Sequence, residues 1–533
     1  MQTLAGKIRR RPVSPSLDPG AAGGLQVLVR VLSATLSGID AIPVEVETDI
    51  SQGLPSVTLV GLPGGSVRES ADRIRAAIRN SGLPYPARKV TINLAPADLR
   101  KEGALLDLPI ALSLLCAVGA FPGDALGDYL VAGELSLDGS LKPVRGILSQ
   151  GLLARRMGLR GILVPAANRS EAALVPDIRV LPAASLRDAA SRLCGDNPPE
   201  PGDTPDPLPG RFEPSPLDLR DIVGQPVARR ILEIAAAGNH PLLLGGPPGC
   251  GKTMLAERIP GILPDFSEGD ALETARIYSA AGEPPWPRVP THRPFRAPHH
   301  TVTRPGLLGG GSPPRPGEAS FAHGGVLFLD EFSEFRPEVR ESLRQPLESG
   351  EVVIARAGHA CRFPCRFLLL AATNLCPCGN AGHPRKICRC TPLERERFSR
   401  KFSGPLLDRI DLSLAVVPVS GTEWSAGSGG EDSASVRRRV SECRGIQATR
   451  HARRPWRTNG ESRLPFRDLV STFAPEARAL LTRAADRMGL SGRGLNQAGR
   501  VARTIADLAR ENRVAAPHVA EAVRYRLPGF DPV

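Results

Sequence analysis

Residues 246–253 combine glycines, a lysine and a threonine at a spacing that suits phosphate chemistry. The segment consists of Gly246, Pro247, Pro248, Gly249, Cys250, Gly251, Lys252 and Thr253. Glycines let backbone N–H groups surround a phosphate at a helix N-terminus, while Lys252 reaches the β- and γ-phosphates and Thr253 binds Mg²⁺. The apolar run Pro241–Leu244 precedes this loop and the helix start Met254–Ile259 follows it, as the motif requires. We therefore predict a site for ATP and Mg²⁺.

Two acidic residues follow a second apolar run further along the chain. The segment Gly325–Glu331 reads GVLFLDE, a buried strand that ends in Asp330 and Glu331. Asp330 would hold Mg²⁺ together with Thr253, and Glu331 would polarise the attacking water. The alternative, acids that only cap the next helix, is disfavoured by the phosphate loop upstream. The two segments together predict hydrolysis of a nucleoside triphosphate.

A third apolar run and a later arginine could complete such a site. The segment Phe367–Asn374 reads FLLLAATN, a buried strand whose last residue, Asn374, is placed to orient water near the γ-phosphate. Arg409, in the segment GPLLDRIDL, would enter a neighbouring subunit's site as an arginine finger. The alternative for Arg409 is a salt bridge with Asp408 or Asp411.

The C-terminal region has helical periodicity and is rich in arginine. Arg493, in the segment LSGRGLNQAGRVARTIADLA, lies where a helical lid could contact nucleotide. Arg500 and Arg503 on the same segment compete with it for that role. We predict that Arg493 joins Glu331, Asn374 and Arg409 in catalysis.

The order of phosphate loop, acidic pair, sensor asparagine, arginine finger and helical lid resembles the AAA+ ATPases. The segments RPFRAPHHT (Arg293–Thr301), GGVLFLDE and GPLLDRIDL are similar to the magnesium-chelatase-like branch. With VARTIADL (Val501–Leu508), the chain from Leu25 onward resembles the ComM/YifB family. This resemblance implies a hexameric ATPase, and for ComM proteins a helicase that promotes branch migration in natural transformation. A metal-insertion chaperone and a protein-remodelling ATPase are the alternatives.

The N-terminal region alternates strands and helices, and its segment VAGELSLDGSLKPVRGIL resembles the domain of Lon-type proteases. A working site of that type needs a serine nucleophile and a lysine base. Leu106 or Asp107 falls at the serine position and Leu148 at the lysine position, whereas Ser113 and Lys142 are nearby but out of register. We therefore expect no peptidase activity.

Cysteines cluster directly after Asn374. Cys376 and Cys378 form one C-x-C pair, and Cys388 and Cys390 form another nine residues later. Four soft ligands joined by Pro and Gly turns suit tetrahedral Zn²⁺, although C-x-C is tighter than the usual C-x₂-C spacing. The alternative is a set of reduced thiols or a redox pair.

An insertion from about Arg276 to Gly317 mixes basic and aromatic side chains. They are Trp286, Arg288, His292, Arg293, Phe295, Arg296, His299, His300 and Arg304. Basic groups neutralise phosphates and aromatic rings stack on bases, so Arg293, Arg296, His299 and His300 are candidate DNA contacts. The alternative is a subunit interface or a solvated loop.

Composition and charge set the outer limits on these predictions. The formal net charge is +13, and the 20 Arg against 11 acids from Glu431 onward carry most of it. A basic surface favours a polyanionic partner such as nucleic acid or an anionic membrane, and the family resemblance implies single-stranded or branched DNA. No apolar run is long enough to span a membrane, so we expect a cytoplasmic protein whose ten cysteines form no disulfide framework.

Two linkers divide the chain, and the predicted fold class is α/β throughout its larger parts. The Pro-rich stretch 195–216 cannot form a helix or a central strand and is predicted to be an extended linker, and the Gly/Ser-rich stretch 420–435 is predicted to be a second linker, a hinge. The predicted units are a leader (1–24), an inert Lon-protease-like α/β domain (25–194), a AAA+ P-loop core (217–419) and a helical lid domain (436–533).

Overall fold

The computed structural model describes residues 27–99, 101, 103–123, 126–194, 217–283, 292–356, 359–402, 404–426 and 429–526. The predicted leader 1–24 and the predicted linker 195–216 lie outside the described residues, as do Trp286 and Arg288.

The N-terminal region is a mixed sheet with helices against it. Its strands are β1 (Val27–Ser37), β2 (Asp40–Ser51), β3 (Ser56–Val60), β4 (Lys89–Ala95), β5 (Tyr129–Val131), β6 (Glu134–Leu135), β7 (Leu141–Lys142), β8 (Gly161–Pro165) and β9 (Arg179–Ala183). Its helices are α1 (Gly65–Arg68), α2 (Ser70–Asn80), α3 (Asp107–Ala117), α4 (Ile147–Arg156), α5 (Arg169–Ala172) and α6 (Leu186–Cys194). Within the described residues the main sheet has the order β3-β4-β2-β1-β5-β8-β9.

Alternation of side chains fixes which face of this sheet is covered. In β2, Val44, Val46, Thr48 and Ile50 are buried and the residues between them are partly exposed, the pattern of a half-buried strand. Helix α3 is apolar on all sides and buried almost throughout, so it forms the centre of the N-terminal core.

The second region is built around a parallel sheet. Its strands are β10 (Leu242–Gly245), β11 (Phe295–Arg296), β12 (Gly309–Gly310), β13 (Arg315–Pro316), β14 (Val326–Leu329), β15 (Glu351–Arg356), β16 (His359–Pro364), β17 (Leu368–Thr373) and β18 (Leu412–Ala415). The central sheet has the order β11-β14-β17-β10-β18 in the described chain, and its neighbouring strands pair in parallel. The carboxyl ends of β10, β14 and β17 therefore meet at one edge of the sheet.

Helices surround this sheet and continue to the C-terminus. Those of the second region are α7 (Pro226–Gly238), α8 (Lys252–Glu257), α9 (Ile259–Ile262), α10 (Glu268–Ala281), α11 (Arg304–Leu308), α12 (Glu318–Phe321), α13 (Pro337–Ser342), α14 (Arg344–Ser349), α15 (Pro392–Ser399), α16 (Gly404–Leu407) and α17 (Gly421–Ala426). The C-terminal helices are α18 (Ser433–Arg450), α19 (Phe466–Val470), α20 (Pro475–Met488), α21 (Gly492–Leu508) and α22 (Ala516–Arg524). The stretch 420–435 that we predicted as a linker thus carries α17 and the first residues of α18.

The C-terminal helices share one apolar core with the parallel sheet. Leu244 of β10, Ile231 of α7, Val440 of α18 and Ile505 of α21 belong to the same buried cluster. Because removing apolar surface from water is the main favourable term in folding, this shared core holds the helical region against the strand that precedes the phosphate loop.

The N-terminal region docks on α10 of the second region. The Arg276 guanidinium donates to the carbonyl oxygen of Ile39 at 3.0 Å and pairs with Asp40 at 2.5 Å. Leu148, at the predicted lysine position, is buried in a small apolar cluster with Ala275. Leu148 thus serves packing between the two regions.

Among the described residues, no helix has the length and apolar character needed to cross a membrane.

Candidate nucleotide site and metal centre

The phosphate loop joins β10 to α8 and folds around its own lysine. Gly249 and Gly251 have φ values of 76° and 91°, a left-handed backbone that favours glycine. Lys252 Nζ donates to the carbonyl oxygens of Gly246 at 2.8 Å and Pro247 at 3.1 Å. The ammonium therefore lies within the loop, at the start of a helix whose N–H groups favour an anion.

The acidic pair lies beside this loop. Thr253 Oγ1 donates to Asp330 Oδ2 at 2.7 Å, which brings a hydroxyl and a carboxylate of the kind that Mg²⁺ prefers to one point. Glu331 has a φ of 50°, an uncommon conformation for a residue other than glycine. Its backbone N–H donates to Asp330 Oδ1 at 2.9 Å, so the turn places the two acids in fixed relation.

Asn374 lies beside the lysine because β17 pairs with β10. Gly245 and Thr373 are partners in that pairing, and the Gly246 N–H donates to the Thr373 carbonyl oxygen at 3.1 Å. Lys252 Nζ donates to Asn374 Oδ1 at 3.4 Å. The structure therefore brings together Lys252, Thr253, Asp330 and Asn374.

Arg409 and Arg493 meet at a second place, the carboxylate of Glu348 at the end of α14. Both guanidinium groups donate to Glu348 Oε1, Arg493 at 2.5 Å. Arg493, with Arg409, holds the pKa of Glu348 below its usual value. The Arg409 ion pair is thus with Glu348 rather than with Asp408 or Asp411.

The competing arginines on α21 have internal partners. Arg500 donates to the carbonyl oxygens of Gly460 at 2.6 Å and Ser462 at 3.0 Å. Arg503 is buried and pairs with Asp507 at 2.9 Å. These contacts favour Arg493, whose side chain is 43% exposed, as the residue that reaches outward.

Our sequence predictions missed two polar residues, Gln225 beside the phosphate loop and Glu348 between Arg409 and Arg493. Gln225 Nε2 donates to the Cys250 carbonyl oxygen at 3.0 Å and to the Val417 carbonyl oxygen at 3.3 Å, so it fixes the phosphate loop from the side. Its position just before Pro226, a proline at a helix start, is the signal that could have identified it. Glu348 carries no comparable signal, because both arginine partners are distant in sequence.

The candidate DNA-binding residues divide into two pairs. Arg293 donates to the carbonyl oxygens of Pro264 at 2.6 Å and Gly324 at 2.5 Å, and Arg296 forms a bidentate pair with Glu318. The rings of His299 and His300 lie 4.0 Å apart between centroids and are tilted by 35°. His300 Nδ1 also lies 3.4 Å from Glu331 Oε2, so this segment approaches the nucleotide site. Contact of all four residues with DNA stays a prediction.

The four clustered cysteines converge in space. The sulfur atoms of Cys376, Cys378, Cys388 and Cys390 lie within 4.8 Å of one another. Three of the S···S distances are 3.4, 3.6 and 3.6 Å, close to the edge of about 3.8 Å expected for four sulfurs at Zn–S bond length. Backbone N–H groups also donate to sulfur, from Ala381 to Cys376 at 3.3 Å and from Cys378 to Cys390 at 3.4 Å. The donor set fits a tetrahedral metal ion.

His383 takes no part in this cluster. Its Nδ1 accepts from the backbone N–H groups of Arg385 and Lys386, both at 3.0 Å.

The backbone N–H groups of Asn380 and Arg389 lower the pKa of Cys378 to about 6. A thiolate of this kind is the form in which cysteine binds metal.

A parallel sheet with the phosphate loop, the acidic pair and the sensor asparagine at one edge, followed by a helical region, defines a AAA+ P-loop ATPase. Family models agree along the chain. The model described as "Magnesium chelatase, subunit ChlI" matches residues 218–424, "Subunit ChlI of Mg-chelatase" matches 46–168, and "Magnesium chelatase, subunit ChlI C-terminal" matches 430–526.

Full-length relatives place the chain more narrowly. It is 43% identical over 491 residues to "Uncharacterized protein YifB" of Escherichia coli, covering 92% of this chain and 95% of the relative. It is 41% identical over 514 residues to "Competence protein ComM" of Haemophilus influenzae, covering 94% and 97%. The chain belongs to the ComM/YifB family of magnesium-chelatase-like proteins.

The N-terminal region has a separate similarity. A stretch of 179 residues is 27% identical to the "Lon protease" of Syntrophomonas wolfei, covering 32% of this chain and 21% of the relative. The predicted fold class, a P-loop core preceded by a Lon-like α/β domain, is thereby confirmed.

Proposed function

We propose that this protein is an ATP-driven DNA motor, a homohexameric helicase that migrates branched DNA in the cytoplasm during recombination or natural transformation. The observation that carries the proposal is the convergence of Lys252, Thr253, Asp330 and Asn374 at one edge of the parallel sheet. The similarity to a relative named as a competence protein supports the choice of DNA as the partner.

Each residue of the nucleotide site has a defined role in this proposal. Lys252 neutralises the β- and γ-phosphates. Thr253 and Asp330 would hold Mg²⁺, which when bound would supply further positive charge to the phosphates. Glu331 polarises the attacking water, and Asn374 orients it. His300, 3.4 Å from Glu331, is placed to modulate that carboxylate.

Assembly of subunits supplies the remaining positive charge at the nucleotide. Arg409 and Arg493 meet at Glu348 rather than at Lys252 of their own chain. We propose that they act on the nucleotide of a neighbouring subunit, because an arginine finger given in trans stabilises the transition state only in the assembled ring.

DNA binding rests on the basic character of the chain and on the insertion. The net charge of +13 favours a polyanion. Arg293 and Arg296 anchor the insertion through carbonyl and carboxylate contacts, whereas His299 and Arg304 are exposed to solvent. We propose that this segment faces DNA in the channel of the ring and couples it to Glu331 through His300.

We also propose that the four clustered cysteines bind Zn²⁺, since their sulfurs stand at tetrahedral spacing.

The N-terminal domain is proposed to lack peptidase activity and to serve assembly or substrate contact. Ser113 is buried and donates to the Ile110 carbonyl oxygen at 2.8 Å, and Asp107 pairs with Arg73 at 2.6 Å. Neither arrangement presents an activated nucleophile.

The decisive experiment measures ATP hydrolysis and strand displacement with and without forked DNA at low salt, with Lys252→Ala as the control. Stimulation by forked or single-stranded DNA supports the proposal. Stimulation by a chelatase partner subunit alone, or by unfolded protein alone, would instead identify a metal-insertion chaperone or a protein-remodelling ATPase. Absence of both DNA binding and DNA stimulation would overturn the DNA motor.

A further inference from the structure

The loop that carries the four cysteines lies directly against the phosphate loop. Gly379, which follows the ligand Cys378, has a φ of 75°, and a Cβ atom placed on it would stand 2.9 Å from Pro248 Cδ and 3.0 Å from Pro248 Cγ. The first distance is shorter than real Cβ atoms show, and the second is tighter than most real Cβ contacts. The glycine therefore permits close approach between the cysteine loop and the middle of the nucleotide-binding motif.

A second connection runs through the backbone. Cys376 is fully buried and lies two residues after Asn374, whose side-chain oxygen accepts from Lys252 Nζ at 3.4 Å. The cysteine loop thus touches the phosphate loop at Pro248 and is covalently continuous with the residue that contacts its lysine.

The cysteine loop has little apolar packing to hold it in place. The described segment 374–391 contains no helix or strand, and within it only Cys376 and Gly379 are buried. Ile387, a large apolar side chain, is 86% exposed. Because so little apolar surface is removed from water, polar contacts such as those of His383 order the loop, and coordination of a metal ion by its four thiolates would add to them.

We infer that a thiolate-bound metal ion of the Zn²⁺ class at Cys376, Cys378, Cys388 and Cys390 holds Gly379 against Pro248 and thereby sets the affinity of the phosphate loop for nucleotide. The metal centre thus affects the affinity for ATP and does not only stabilise its own loop. This inference rests on the proposed function only in requiring that residues 246–253 bind nucleotide.

Two glycines of the same loop provide a matched pair of variants. Gly379 and Gly382 both have a left-handed φ, 75° and 76°, so alanine strains the backbone equally at both. A Cβ on Gly382 would meet only Leu375 Cδ1, at an ordinary 3.4 Å, whereas one on Gly379 collides with Pro248. Gly379→Ala therefore tests the contact with the phosphate loop, and Gly382→Ala controls for backbone strain.

The experiment measures metal content and the Kd for a fluorescent ATP analogue on the full-length protein in the absence of DNA. We expect Gly379→Ala to keep its zinc and bind nucleotide about tenfold more weakly, which corresponds to about 1.4 kcal/mol. Gly382→Ala should match the parent in both measurements. Cys388→Ser should lose metal and affinity together, while Cys361→Ser, outside the cluster, should lose neither.

Removal and return of the metal give an independent test should a variant fail to fold. Parent protein whose metal has been removed with a chelator should bind nucleotide more weakly, and added Zn²⁺ should restore its affinity. Co²⁺ added instead of Zn²⁺ should produce a thiolate-to-metal absorption band. Purified protein that holds no metal, or nucleotide binding unchanged by chelation and by Gly379→Ala, would overturn the inference. Failure of the DNA motor proposal is distinct, since it appears as missing DNA stimulation with metal-dependent nucleotide binding intact.

Discussion

Arg409 and Arg493 donate to the same oxygen atom, Oε1 of Glu348, from positions 84 residues apart in the chain. Arg409 follows α16 beside the parallel sheet, and Arg493 lies in the first turn of α21 in the helical lid. One carboxylate at the end of α14 therefore sets the distance between two cations that would otherwise repel each other.

Replacement of Glu348 should test whether this carboxylate positions the two arginines. We expect Glu348→Gln to lower kcat by about tenfold with little change in KM, because an uncharged amide cannot hold two guanidinium groups together. The measurement is steady-state ATP hydrolysis at protein concentrations that give full assembly. Glu351→Gln is the matched control, since Glu351 pairs with Arg362 on the exposed hairpin nearby. Equal rates for parent and Glu348→Gln would remove the positioning role.

Arg409→Ala should abolish turnover while sparing nucleotide binding. Loss of an arginine finger lowers kcat by about 10³-fold or more, because transition-state charge on the phosphates is left without its partner. The defect should act across subunits. Mixing Arg409→Ala with Glu331→Gln should partly restore hydrolysis, since some interfaces then combine an intact Glu331 with an intact Arg409 from the neighbour. No recovery in any mixture would indicate that Arg409 acts within its own chain.

The positions of the residues in the candidate nucleotide site could be predicted because each lies in a local sequence pattern. Each of β10, β14 and β17 is a short apolar run that ends in the polar residues needed for chemistry, and parallel strands bring such ends to one edge. The convergence of Lys252, Thr253, Asp330 and Asn374 follows from that rule. The spacing of the four cysteines likewise predicted a set of sulfurs whose distances now fit a metal ion.

The contacts that could not be predicted are long-range and depend on how separate elements pack. Glu348 meets Arg409 and Arg493 across 61 and 145 residues, and neither local periodicity nor a motif encodes such a pairing. Arg293 stood out for its basic neighbours, yet its guanidinium is bonded to backbone carbonyl oxygens. Composition identifies a charged side chain but does not show which hydrogen-bond acceptor that side chain will contact.

Two substitutions should separate nucleotide binding from hydrolysis. Lys252→Ala should abolish binding, because the ammonium that the Gly246 and Pro247 carbonyl oxygens hold in the loop is lost. Glu331→Gln should bind ATP normally and hydrolyse it about 10²- to 10⁴-fold more slowly, the usual contribution of a general base. Binding is measured with a fluorescent ATP analogue and turnover by phosphate release. Normal turnover in Glu331→Gln would assign the base to another residue.

The stability of the fold should depend on a buried ion cluster centred on Asp411, two residues after Arg409. Asp411 is fully buried, and its carboxylate accepts from His240 at 2.7 Å and pairs with Arg500 at 3.4 Å. Burial opposes ionisation, yet Arg500 and His240 hold the pKa of Asp411 below its usual value. Because the folded-state pKa is depressed, this carboxylate stabilises the fold above its unfolded pKa of about 3.9, and the stabilisation is lost as the pH falls through the folded value.

Asp411→Asn should therefore lower the free energy of unfolding by about 3 kcal/mol at pH 7, since it leaves the largely buried Arg500 guanidinium without this carboxylate. Urea unfolding monitored by circular dichroism would measure the difference, with Asp408→Asn, a less buried neighbour, as the control. The gap between Asp411→Asn and the parent should narrow as the pH is lowered toward the folded pKa of Asp411. A gap that stays constant down to that pH would show that the aspartate contributes through packing and hydrogen bonds rather than through its charge.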